Sequence, residues 1–135
     1  MPNKTVLVTG ATSDIGSAAA IRFALKGWNV ICHYNSAVDK MHSLKKAVES
    51  FEVKCFLFKA DLGSKGQILS LRRKLEGFQI DALINNAGTY VVNRHFSQLT
   101  IEDVESTFMI NVFAPMMLSA AVFTGMKERR FGRIV

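Results

Sequence analysis

The chain has 135 residues, 49% of them hydrophobic and 21% charged, which is one domain's worth with enough apolar material for a core that needs no metal or disulfide staple. A net charge of +6 is compatible with nucleic acid, membrane or a polyanionic small molecule. No aromatic–basic platform for nucleic acid is visible, and the longest apolar stretch, residues 108–123, contains Asn111, Pro115 and Ser119 and is shorter than the ~20 residues of a bilayer span.

Residues 1–10 enter a strand at once, with neither a signal-peptide core nor transit-peptide composition, so a cytoplasmic location is expected. Residues 4–8 are β-branched and apolar without alternation, the pattern of a strand buried on both faces. A turn of small residues spans 10–16. A helix follows from about Asp14 to Lys26, with Gly27 as its C-cap. Residues 28–33 read as a second strand. Over 38–51, Val38, Met41, Leu44, Val48 and Phe51 share one helical stripe, opposite Lys40, Lys45, Lys46 and Glu49. Residues 53–59 read as a third strand. Residues 64–77 read as a helix with Ile68, Leu71 and Leu75 inward, and 81–85 as a fourth strand. A polar loop over 88–99 leads to a helix from Thr100 to about Arg129. Thr100 caps it, Glu102 and Asp103 sit in its first turn, and Lys127, Arg129 and Arg130 at its end complement the dipole, with Arg133 close behind. Residues 133–135 open a fifth strand.

Alternating strands and helices call for an α/β fold: a doubly wound parallel sheet with right-handed crossovers and a ligand crevice at the carboxyl ends of the strands. No linker, repeat or low-complexity segment divides the chain, so 1–135 reads as a single domain. Its end inside an apolar strand reads as that of an incomplete one, truncated after the start of the fifth strand. Cys32 and Cys55 each fall in an apolar strand, as core thiols of a reducing compartment do. Cys32 and His33 are adjacent in a strand and face opposite ways. With His42 and His95 they lack the spacing of a zinc site, and no metal is expected.

The turn after the first strand reads Thr9-Gly10-Ala11-Thr12-Ser13-Asp14-Ile15-Gly16. Glycines there let backbone approach a pyrophosphate, and the following helix offers free N–H groups and a positive dipole end. Asp61-Leu62 follows the third strand and Asn85-Asn86-Ala87-Gly88 closes the fourth. Asn111-Val112 lies inside the long helix, and Gly132-Arg133-Ile134-Val135 opens the fifth strand. In this order and at these intervals the segments resemble the short-chain dehydrogenases/reductases. The resemblance covers the whole chain but roughly the first half of a full family member. His33-Tyr34-Asn35-Ser36 is similar to the 3-oxoacyl carrier-protein reductase branch.

The resemblance implies a Rossmann domain of an NAD(P)-dependent oxidoreductase that moves hydride between nicotinamide and a carbonyl or alcohol. Gly10, Thr12, Ser13, Ile15 and Gly16 would line the pyrophosphate. Asp61 would accept from the adenine amino group, with Leu62 beside the ring, although Asp61 also suits a helix cap. Asn86, Ala87 and Gly88 would pass near the nicotinamide ribose, and the Asn86 amide would tie strands together. Asn111 would take the asparagine place of the catalytic tetrad and hold a proton-relay water. The long helix, 100–129, would pair with its copy in a homodimer or homotetramer, and its uncovered apolar surface would favour association.

Two departures qualify this. Asp14 stands where the family has a glycine, adding negative charge beside a pyrophosphate. The family's serine and Tyr-x-x-x-Lys lie beyond the fifth strand. Tyr34 and Tyr90 are followed four residues on by Val38 and Arg94, so neither makes the pair. Protonating a nascent alkoxide needs an acid, and these residues by themselves are expected to be inactive. At the end of the second strand no acid awaits a ribose 2′-hydroxyl. Asn35 and Ser36 can donate to a 2′-phosphate instead, which favours NADP with NAD as the alternative. The competing functions are thus a reductase whose cofactor half this is, a nucleotide-binding or dimerising remnant without turnover, and a nucleic-acid binder through the basic surface.

Overall fold

In a computed structural model that describes residues 3–91 and 95–135, β1 (Thr5–Val8) lies at the middle of a five-stranded sheet ordered β3-β2-β1-β4-β5. The other strands are β2 (Asn29–Tyr34), β3 (Cys55–Lys59), β4 (Ala82–Ile84) and β5 (Arg133–Ile134), and every pairing is parallel. The helices between them are α1 (Asp14–Leu25), α2 (Val38–Glu49) and α3 (Lys65–Leu75), then α4 (Ile101–Phe108) and α5 (Ala114–Glu128). A 3-10 turn, Phe96–Gln98, interrupts the expected polar loop. The expected Arg94 position lies outside the described residues.

Each face of the sheet has its own core. Val6, Val8, Val30 and Cys32 pack with Ala20 and Ala24 of α1 and Met41, Leu44 and Val48 of α2. On the other face Leu7, Ile31 and Leu83 meet Ile68, Leu71 and Leu75 of α3 and Ala114, Leu118, Val122 and Met126 of α5. Strands that face helices on both sides have no polar face, which is why their sequences do not alternate. The ends of the apolar stripe over 38–51 fall outside the core: Val38 and Phe51 are exposed, because α2 starts at Val38 and stops two residues before Phe51. The Cys32 and Cys55 sulfurs are free and buried, 3.8 Å apart across β2 and β3. The adjoining Cys55 sulfur and burial together hold the Cys32 thiol well above its ordinary range.

The helix expected over 100–129 is one rod with a π-helical turn, Met109–Phe113, between α4 and α5. Pro115 has no N–H to give the Asn111 carbonyl its i→i+4 bond, and one wide turn absorbs the mismatch. The rod spans residues 101–128, long and apolar enough by composition to cross a membrane, which the shorter apolar stretch in the sequence did not suggest. Here Ala114, Leu118, Val122 and Met126, four residues apart, seat it on the sheet. Arg129 does more than complement the helix dipole. It turns back to the sheet, where Nη2 donates to the Ile80 carbonyl at 2.8 Å and lies 3.6 Å from the buried Asp81 carboxylate. Asp81 in turn accepts the Thr5 N–H at 3.0 Å, so this cluster locks the amino ends of β1 and β4 to the end of α5.

Candidate cofactor cleft

β2 and β4 flank β1 on opposite sides, so consecutive crossovers diverge there and leave a crevice above the carboxyl ends of β1 and β4. An open cleft of about 420 Å³ occupies it. Gly10, Thr12 and Ser13 of the first turn line it, with Asn35 and Ser36 after β2 and Asp61 and Leu62 after β3. Asn86, Ala87 and Gly88 line it after β4. Asp14, Ile15 and Gly16 are set back from its wall. Asp14 and Ile15 are exposed on the first turn of α1, whereas Gly16 is buried beneath it.

The turn is held by specific bonds. Gly10 adopts φ +61°, and a Cβ there would lie 2.9 Å from the Ala87 Cα. At Gly16 a Cβ would stand 2.4 Å from the Gly10 carbonyl oxygen and 2.7 Å from Asn86 Nδ2. Only hydrogen fits between helix and turn. Ser13 caps α1, accepting the Gly16 N–H at 3.0 Å. The next N–H groups, on Asp14 and Ile15, belong to the first turn and have no acceptor within the helix. Asn86 Nδ2 reaches the Thr9 and Gly10 carbonyls at 3.0 and 2.9 Å and Ser13 Oγ at 3.0 Å, as the strand-tying reading expected.

Three residues that sequence reasoning passed over belong to the same site. Thr9 is buried, and its hydroxyl accepts the Asn86 and Ala87 N–H groups at 3.0 and 2.9 Å, fastening β1 to the loop after β4. His33 lines the floor, buried at 2% exposure. Lys40, one turn into α2, lines the wall beside Asn35 and Ser36. Strand alternation, which turns His33 away from Cys32, and the place of Lys40 in the first turn of α2, just after Asn35 and Ser36, were the available signals. Both needed the neighbouring strand or helix to be placed first.

Asp61 does not cap α3; Ser64 does, accepting the Gln67 N–H. Asp61 Oδ1 instead takes the Gly63 N–H at 2.8 Å, which orients the carboxylate at the cleft edge. Asn111 sits in the π turn outside the lining. Its side chain makes a two-way clasp with Thr89, accepting the N–H at 2.8 Å and donating to the carbonyl at 2.7 Å. It thereby fixes the segment that follows Gly88, and Thr89 and, from the π turn, Ile110 also line the cleft.

The donor set suits a dinucleotide. Unpaired N–H groups at a helix start meet phosphate, a carboxylate stands at the far end for an amino group, and Leu62, Ala87 and Ile110 supply apolar surface. Lys40 with Asn35 and Ser36 forms a cationic, hydrogen-bonding corner.

Residues 4–135 match the short chain dehydrogenase family. An uncharacterized oxidoreductase of Bacillus subtilis, YhxC, is 30% identical over 95% of this chain and 46% of its own length. The bulky-bulky ketone specific alcohol dehydrogenase from Comamonas testosteroni superposes with a TM-score of 0.90 at 31% identity, covering 99% of this chain and 54% of that one. A short-chain dehydrogenase from Sphingobium yanoikuyae, solved in complex with NADPH, gives 0.89 at 31% identity over 97% and 52%. The chain spans about half the length of the relatives it matches.

Proposed function

The chain belongs to the short-chain dehydrogenase family, and from that premise we propose that it is the cofactor-holding half of an NADP-dependent oxidoreductase acting on a small carbonyl or alcohol. The observation that carries the reading is the cleft: a glycine turn with no room for a Cβ, beside a lysine-bearing corner where an NAD enzyme would place an acid. NADPH in the Sphingobium relative supports the same choice.

When bound, the nicotinamide supplies or accepts the hydride. The residues here bind and orient. The α1 amino terminus and the turn Gly10–Ser13 take the pyrophosphate, Lys40, Asn35 and Ser36 take the 2′-phosphate, and Asp61 takes the adenine amino group. Asn86 and Thr9 hold the ribose-side loop in place, and Asn111 fixes Thr89 and would contribute to a proton relay. No tyrosine here precedes a lysine by four residues, so these residues alone hold cofactor without a proton donor for an alkoxide. We therefore propose binding without turnover for the chain by itself.

We further infer that the outer face of α4 and α5 pairs with a second copy, its exposed Phe108, Phe113, Met116 and Phe123 supplying the contact. The free Cys32 and Cys55 thiols, 3.8 Å apart, support a reducing, cytoplasmic setting.

Titrating the purified chain with NADPH and NADH tests the reading. NADPH is expected to bind more tightly, and Lys40→Ala to weaken NADPH about tenfold while leaving NADH unchanged, the loss of one charge-assisted contact. Equal affinity for both cofactors would overturn the NADP assignment. Reduction of a generic ketone by the chain would overturn the absence of turnover.

A further inference from the structure

The cleft floor holds a titratable group that cofactor binding does not itself require. His33 is buried, and both ring nitrogens are engaged by different segments. Nε2 lies 2.9 Å from the Ala60 carbonyl, which can only accept, so Nε2 carries the hydrogen. Nδ1 is then a bare lone pair, and it accepts the Gly10 N–H at 3.2 Å. The His33 carbonyl accepts the Ala11 N–H at 2.9 Å. One residue thus ties the glycine turn to β2 and, through Ala60, to the residue before Asp61.

We propose that neutral His33 is the positioning residue that sets the glycine turn, and that its protonation releases the turn and weakens cofactor binding. The inference rests on the cofactor reading above. A proton on Nδ1 would put one N–H against another, and the Gly10 amide would lose its acceptor. Gly10 has little freedom to adjust, because Ala87 closes on the space where a Cβ would be. Loss of the bond therefore displaces the backbone that meets the pyrophosphate.

The surroundings favour the neutral ring. Burial lowers the His33 pKa, and the hydrogen bond to Ala60 opposes that shift in part. The charged side chains facing the same cleft are Lys40 from α2 and Asp61 after β3, of opposite sign; β1 and its turn bring none to the lining. Lys59, at the end of β3, is exposed. The folded value thus lies below the ordinary ~6.5. The neutral ring's contribution is complete above ~6.5 and is lost as pH falls through the folded value.

The test compares NADPH affinity of the chain and two variants from about pH 8 downward, to the pH at which the His33 ring 15N signals report protonation. His33→Asn keeps an acceptor at the Nδ1 position and does not titrate. His33→Gln reaches the Ala60 carbonyl but leaves Gly10 without an acceptor. The native chain is expected to lose affinity at acid pH by ~10-fold more than His33→Asn, and His33→Gln to bind ~10-fold more weakly at both ends, the effect of one orphaned buried donor. Because the 2′-phosphate also titrates, the ratio of native to His33→Asn is the quantity read. Identical pH profiles for native and His33→Asn would overturn the proposal. A second readout needs no cofactor and no variant: the Gly10 amide proton resonance of the native chain should move as the His33 ring 15N signals report protonation, and a fixed Gly10 resonance would overturn the proposal. If NADPH binds at no pH while that resonance moves, the cofactor reading fails and the role of His33 stands.

Discussion

The cleft above β1 and β4 and the outer face of α4 and α5 are both open to solvent, and they are built in opposite ways. In the cleft, polar groups are pinned by bonds that span the chain: Thr9 and Asn86 are 77 residues apart and meet at 3.0 Å. On the helical face the apolar side chains stand in solvent, Ile101 at 66% exposure and Met116 at 65%. Hydrogen bonds are directional and decide where a ligand's atoms must go, whereas apolar area is non-directional and decides only that something should cover it. A small polyanion fits the first surface and a second protein surface fits the second.

That contrast can be broken from either side. The largest effect is expected from Gly16→Ala. Its Cβ would meet the Gly10 oxygen at 2.4 Å, so helix and turn must separate, at a cost of about 3 kcal/mol. NADPH binding should fall below detection in a titration and the melting temperature should drop, while self-association is unchanged. Next is the pair Phe113→Asp and Met116→Asp, on side chains 50% and 65% exposed. Sedimentation should show the proposed self-association weakened about 30-fold or more, as for loss of a central contact, with NADPH affinity intact. If these two variants exchanged effects, the division of labour between the surfaces would be wrong. The smallest is Asp14→Gly, which removes a charge from an exposed position in the first turn of α1, near the proposed pyrophosphate site. NADPH should bind roughly threefold more tightly, in proportion to a screened interaction near a helix terminus, and thermal melting should show slightly lower stability because the acid favours the helix start.

Much of this architecture can be read along the chain. The helix over 64–77 was visible in the spacing of Ile68, Leu71 and Leu75, all of them buried. The stop at Gly27 was visible because the residue after the helix turns left-handed, at φ +78°. The glycine turn, Asp61 and the Asn85–Gly88 run were visible because each is local to the end of a strand. The π turn was less so: Pro115 announces that a bond is missing, but the way the helix absorbs the loss depends on how α5 seats Ala114 and Leu118 on the sheet. The role of Arg129 was hidden because its partner Asp81 is distant in sequence and becomes a neighbour only when β4 joins β1.

The sequence by itself determined the alternation of strands and helices, the turn chemistry and the family, since periodicity and capping are properties of short segments. Only the tertiary structure decided that Thr9, His33 and Lys40 belong to one site and that a 28-residue apolar helix lies on a sheet. Parallel pairing brings together strand ends that the chain visits far apart, and the partner of a buried hydroxyl, imidazole or carboxylate is chosen by that pairing.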